Sequence, residues 1–388
     1  MNLLDFLSQN KQIQQWQQLL NQKTRQLLTG LSSSIKMSIV ATAYDEQDVI
    51  FLITNTQNEA EKCASDLMAL LGEEEVFPFL ADDTPLAEFL FSSHEKNLAR
   101  LDALEMLTSQ RPRGIVVANY AAMKLFLPSP KRYQALQRTI AVGQDYQMED
   151  LQASLIQYGY QKVSQVVSQG EFSIRGDILD IFETRQDSPY RIEFFGDEVD
   201  GIRTFNPETQ TSLEQQDQIH ITPFSDLLFD AADYQRAVAQ LEAVAETTQN
   251  PLLRSYLEEV LADFRRNRLH RDSRRFLSSL YDQEYTLLDY LPAHAPLFLD
   301  EFQKIMDQKA QFELAAAQMQ TDFLEAGTAY GNQVFFADPY SKIRRYKPTS
   351  FFSNFQKGLG NLRFDALYHF NQYPGWMSTT PASCRTSS

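Results

Sequence analysis

Two stretches hold side chains whose types and spacing could do chemistry. The first, Thr29 to Val40, reads TGLSSSIKMSIV, with Lys36 six positions after Gly30. A phosphate-cradling loop has the form G-x-x-x-x-G-K-[ST]. Its second glycine lets backbone N–H groups approach the phosphates, its lysine reaches the β/γ-phosphates, and its hydroxyl binds Mg2+. Gly30 and Lys36 fill the first and seventh positions. The sixth is Ile35, whose β-branch crowds the turn, and the eighth is Met37, which cannot ligate a hard cation. Such a site also needs an acidic pair after an apolar strand, and LFLDEF supplies Asp300 and Glu301 there. Gly30, Lys36, Asp300 and Glu301 therefore outline a degenerate nucleotide site, from which Mg-ATP hydrolysis is not expected. The same residues also read as a serine-capped helix start and an ordinary strand ending.

The second stretch is Gly170–Asn206, GEFSIRGDILDIFETRQDSPYRIEFFGDEVDGIRTFN. In YRIEFF the alternation puts Tyr190, Ile192 and Phe194 on one face and Arg191, Glu193 and Phe195 on the other. If the first set faces a core, an arginine and a phenylalanine are presented together, a composition typical of binding hot spots. Arg175, from the preceding strand, can join them. An ordinary surface with one salt bridge, and a phenylalanine under a loop, has the same pattern. A third candidate is the basic run RRNRLHRDSRR, with Arg265, Arg266, Arg268, Arg271, Arg274 and Arg275. It reads either as phosphate contacts or as a solvated helix face balanced by Asp263 and Asp272. No Ser-His-Asp or Cys-His spacing suggests nucleophilic catalysis. Two cysteines and five unclustered histidines argue against a structural zinc site.

These residues must be positioned by an alternating pattern of elements. Ile13, Trp16, Leu19, Leu20, Leu27 and Leu28 recur at helical spacing, which predicts an amphipathic helix ending at Gly30. A helix from Ser34, a strand over Val49–Thr54, a helix over Glu59–Leu71, a strand over Val76–Phe79, a helix around His94–Leu107 and a strand at Gly114–Ala118 follow. Continuous apolar strands separated by helices indicate a buried parallel sheet. LPSPKRY (Leu127–Tyr133) marks a crossover. Beyond it, a helix over Met148–Tyr158 and short strands over Gln161–Thr204 suggest an α+β unit with antiparallel strands. Helical sequence then runs to about Asp282, and PLFLDE returns as a strand of the first sheet. The expected division is 1–133, the first half of an α/β domain; 134–222, an inserted α+β domain; 223–346, the second half; 347–373, the start of a further domain; and 374–388, a tail. That tail, PGWMSTTPASCRTSS, fits a disordered terminus or a chain that has left its reading frame.

Bulk properties narrow the function classes. With 51 acidic against 35 basic residues the net charge is −16, which repels phosphate backbones and favours a protein partner with basic surface. No run approaches a membrane span, the amino-terminal residues lack a signal peptide's basic region, and the cysteine usage fits a reducing cytoplasm.

GEFSIRGDILDIF…YRIEFFGDEVDGIRTFNPETQTS closely resembles the UvrB-homology module of the bacterial transcription-repair-coupling factors. Weaker resemblance runs from Met1 to about Tyr346 through GLSSSIK, FLITNTQNEAEKCASDL, RLDAL and LLDYLPAHAPLFLDE. It implies a helicase-like α/β parallel-sheet domain, split by an inserted α+β domain that docks on UvrA. In that family two arginines and a phenylalanine touch UvrA, and on the matching motif they fall at Arg175, Arg191 and Phe195. The implied function is an amino-terminal adaptor that recruits UvrA in transcription-coupled nucleotide excision repair, acting in the cytoplasm without a membrane. Unlike UvrB, the chain has no tyrosine between Val76 and Arg100, where a DNA-gripping hairpin would carry them. The family's RNA-polymerase-binding domain and its DNA motor, a hydrolase using ATP and Mg, are expected beyond this chain, which is therefore expected to need no cofactor and to catalyse nothing. The alternatives are a residual ATP-dependent helicase or DNA-binding domain using Lys36, Asp300 and Glu301, or a nonfunctional truncated product.

Overall fold

The computed structural model describes residues 3–20, 22–44, 47–90, 94–354 and 362–370. Strands β1 (Arg25–Thr29), β2 (Val49–Thr54), β3 (Val76–Phe79) and β4 (Gly114–Asn119) alternate with helices over Ser33–Tyr44, Gln57–Leu71 and His94–Thr108. Eight strands follow: β5 (Arg138–Ala141), β6 (Gln161–Lys162), β7 (Glu171–Arg175), β8 (Ile178–Ile181), β9 (Tyr190–Phe195), β10 (Glu198–Phe205), β11 (Ser212–Gln216) and β12 (Gln218–Ile221). After helices over Ala231–Thr247 and Pro251–Phe264 the chain forms β13 (Leu297–Asp300), a helix over Phe302–Glu325, β14 (Thr349–Ser353) and β15 (Ala366–His369).

Seven strands make one parallel sheet in the order β15-β1-β14-β13-β2-β4-β3. Helices cover both faces, so strands such as VIFLIT need apolar residues at every position. Ile50 and Leu52 enter a core with Trp16, Val40 and Leu67. Phe51 and Ile53 enter the opposite one with Leu104, Phe302 and Phe312. Helix starts follow from local chemistry. Thr56 caps Gln57–Leu71 by accepting from the Glu59 N–H, and the Asp83 carboxylate accepts from the Gln57 N–H.

Two expectations are corrected here. The amino-terminal segment is not one helix to Gly30: helices end at Leu20, and Leu27 and Leu28 lie on β1. They are consecutive and both buried, one in each core, which a strand flanked by β14 and β15 allows and an amphipathic helix does not. Residues 347–373 do not open a separate domain as far as they are described. β14 lies between β13 and β1, where Phe351 and Phe352 fill the two cores, and β15 extends the sheet beyond β1. The tail at 374–388 lies outside the described residues.

The insertion is held at its neck by its own ends. β5 and β12 pair antiparallel, with Ile140 opposite Ile219, so the chain leaves and returns at one place. Between them a six-stranded sheet runs β11-β10-β9-β8-β7-β6, antiparallel except for β6 with β7. Its inner face packs Phe172, Leu179 and Ile192 against Leu151 and Leu155 of the helix Met148–Gln157. At the junction with the parallel-sheet domain, Arg185 faces Asp102 and Glu105 of the helix His94–Thr108.

Candidate protein-docking site

Hairpins β7–β8 and β9–β10 turn through Gly176-Asp177 and Gly196-Asp197, each glycine at positive φ as two-residue turns require. Register then sets the outer face. Arg175 pairs with Ile178, which pairs with Glu193; Asp180 pairs with Arg191, which pairs with Arg203. Tyr190, Ile192 and Phe194 point into the core and Arg191, Glu193 and Phe195 away from it, as the alternation requires. The structure thus brings Arg175, Arg191 and Phe195 onto one sheet face, with Phe195 next to the Gly196 turn.

The three are not equivalent. The Phe195 ring is 84% exposed. Arg175 is half exposed, at 51%, and its Nη2 donates to Asp180 Oδ2 at 2.8 Å. Arg191 is only 14% exposed. Its Nε and Nη2 donate to Asp180 Oδ1 and Oδ2 at 2.7 and 2.9 Å, in a bidentate fork. Nη1 and Nη2 also donate to the Gln210 carbonyl and Oε1, at 3.3 and 3.2 Å. Its guanidinium lies 4.4 Å from the centre of the Phe205 ring. The Asp180 hydrogen bonds hold its pKa above the ordinary value, against the effect of burial. Arg203 pairs with Glu193 beside them. Asp180, Phe205 and Gln210 were not foreseen from sequence. Asp180 had a signal, an acid between the core residues Leu179 and Ile181 of a strand; Gln210, on a loop at φ 60°, had none.

The nucleotide-like residues are also brought together. Lys36, 4% exposed on the helix after β1, donates to Asp300 Oδ1 at 2.8 Å and Glu301 Oε1 at 2.6 Å at the end of β13. Burial works against its charge, but the two carboxylates outweigh it and raise its pKa; burial likewise pushes the Asp300 carboxyl up. Met37 points into the core. A side chain on Gly30, at φ 78°, would collide with the Phe370 carbonyl oxygen. In this arrangement the ammonium is shared by two carboxylates, and position 37 carries a buried methionine in place of a hydroxyl. Four of the six arginines of the basic run are likewise engaged within the chain. Arg265 pairs with Glu242, Arg268 with Asp263 and Arg274 with Asp226, while Arg275 stacks on Phe323.

Residues 139–227 match the family model of the UvrB interaction domain, the segment that carries all three outer-face residues. The transcription-repair-coupling factor of Bacillus subtilis (strain 168) is 32% identical over 311 residues, 78% of this chain and 26% of that protein. Those of Staphylococcus aureus strains RF122 / ET3-1 and USA300 are each 28% identical over 338 residues, 85% of this chain. The chain spans 26–29% of the length of these relatives. Residues 139–227 are thus similar to a UvrB interaction domain, within a chain that is similar over most of its length to part of a transcription-repair-coupling factor.

Proposed function

We propose that this chain is an adaptor module of a transcription-repair-coupling factor that recruits UvrA in transcription-coupled nucleotide excision repair. The observation that carries the reading is the Arg175, Arg191 and Phe195 face inside a UvrB interaction domain. An exposed ring on the same sheet face as a half-exposed arginine is the composition of an anchor point in protein interfaces. The parallel-sheet domain serves as a rigid carrier for the insertion. Contact with RNA polymerase and ATP-driven movement on DNA belong, in this reading, to the remaining length of such proteins.

The test mixes the purified chain with UvrA and measures affinity by calorimetry. The double variant Arg175→Ala/Phe195→Ala, checked for folding by circular dichroism, is expected to lose binding. Equal affinity of variant and wild type overturns the assignment of the face.

A further inference from the structure

We infer that Arg191 and Asp180 are positioning residues that fix the guanidinium of Arg175, and that Arg175 and Phe195 are what a docking partner touches. The inference rests on the docking reading above and divides its three residues into two roles. Four of the five N–H groups of Arg191 are already spent on Asp180 and Gln210. One face of its guanidinium is covered by Phe205. Little of it is left for a partner to grip.

Asp180 lies wholly under this cover, at 1% exposed, so a partner cannot reach it. Its Oδ2 accepts from both arginines, 2.9 Å from Arg191 and 2.8 Å from Arg175. The register explains why one carboxylate serves two arginines: Asp180 stands opposite Arg191, and Arg175 is diagonal to it on the adjoining strand. Without Arg191 to hold both oxygens, the Asp180 carboxylate is free to rotate and Arg175 loses its fixed anchor. With it, the half-exposed Arg175 is held at Nη2, and its Nε and Nη1 meet no partner among the described residues. Two guanidinium charges and one carboxylate leave a single net positive charge, and it is displayed at Arg175. The partner chemistry that fits is a carboxylate meeting the open edge of Arg175 next to an apolar cleft for the Phe195 ring.

A double-mutant cycle with UvrA separates positioning from contact. Arg175→Ala and Arg191→Ala are each expected to weaken binding roughly tenfold or more. The double variant is expected to be no weaker than Arg175→Ala alone, because Arg191 acts through Arg175. Losses that multiply in the double variant overturn the inference, since they mean that Arg191 touches the partner itself. A second arm does not need UvrA. In the free wild-type chain the Arg191 Nε–H is expected to give a sharp, slowly exchanging NMR resonance, and Asp180→Asn to broaden it and the Arg175 Nε–H signal together. Fast exchange in the wild type, or an Arg175 signal indifferent to Asp180→Asn, overturns the positioning role. Failure of the wild-type chain to bind UvrA sinks the docking reading instead, and the resonances still decide the positioning role.

Discussion

Lys36→Met should destabilise the parallel-sheet domain by about 4 kcal/mol at neutral pH, and by much less in acid. In the wild type the ammonium is shared by Asp300 and Glu301, all three largely buried. The substitution leaves two carboxylates side by side at the end of β13. Removing one partner from a buried ion pair costs roughly 3–5 kcal/mol. Proton uptake sets an independent ceiling. Asp300 ordinarily titrates at 3.8. Holding it neutral at pH 7 spans about three pH units at ~1.4 kcal/mol each, so ~4 kcal/mol. At pH 5 the span is about one unit and the cost ~1.5 kcal/mol. In the variant the folded pKa of Asp300 lies further above the unfolded one, so the folded chain holds a proton the unfolded chain lacks. Stability therefore falls as pH rises. Urea denaturation at pH 5 and pH 7, followed by fluorescence of the buried Trp16, measures both values. Its indole Nε1–H donates to Ser350 Oγ on β14, at 3.0 Å, so it reports on this sheet. Lys36→Met/Asp300→Asn/Glu301→Gln should recover most of the loss, since no buried charge is left unpaired. A cost below ~0.5 kcal/mol at pH 7, the ordinary range for a surface change, refutes the reading of Lys36, Asp300 and Glu301 as a stabilising buried ion pair. Joined to loss of ADP binding, that result restores the nucleotide-site reading.

Glu105 is pulled up to about 7 by burial and by the neighbouring Glu183 at the junction of carrier and insertion. Its contribution to stability is full below about 4.5 and lost as pH rises through 7, up to ~3 kcal/mol over that range, and Glu105→Gln should flatten the corresponding slope in urea melts at pH 5.5, 6.5 and 7.5; an unchanged slope refutes it. On the outer face of the insertion, Phe195→Ala should change stability by no more than ~0.5 kcal/mol while weakening UvrA binding. Phe205→Ala should cost roughly 3–5 kcal/mol, because that ring is buried with Val166 and Phe182 and also supports Arg191. Thermal melts of the two variants should therefore separate, and matching melts would contradict the division of the face.

The parallel sheet was legible wherever strands were continuous apolar runs between amphipathic helices, as at VIFLIT and GIVVAN. β1 was missed because RQLLT has only two apolar residues, and both also fit the period of the preceding helix. Its partners β14 and β15 come more than 300 residues later, and no local pattern announces a strand pairing at that distance. The outer face of the insertion was half legible. Strand parity separates Arg191 and Phe195 from the core residues between them, but parity cannot count hydrogen bonds. That Arg191 is held and Arg175 open depends on the loop that brings in Gln210, and on Phe205, two residues beyond the Arg203 that pairs with Arg191, whose ring lies against the guanidinium. The fate of Lys36 was hidden for a related reason. Motif comparison records which positions are lost, not that the remaining lysine and the two acids have turned to one another.

Charge acts at two ranges in this molecule, and the two must be argued apart. At long range the chain carries −16, a field that attracts a basic surface and repels an acidic one. At contact range the cluster around Asp180 is different: Asp180 cancels one arginine, Glu193 is paired with Arg203, and one cation stands exposed at Arg175, while Glu198 lies opposite Phe195. A steered encounter needs many charges of one sign on the docking surface, and on this face the three arginines are matched by Asp180, Glu193 and Glu198. If this face docks a partner as proposed, its selectivity comes after encounter, from fitting the Phe195 ring and one carboxylate at a fixed spacing. That requirement gives the buried Asp180–Arg191 fork its purpose, since a swinging Arg175 would pay its ordering entropy on every binding event. An orienting pair that is itself out of the partner's reach holds the arginine ready while adding no net charge to the face.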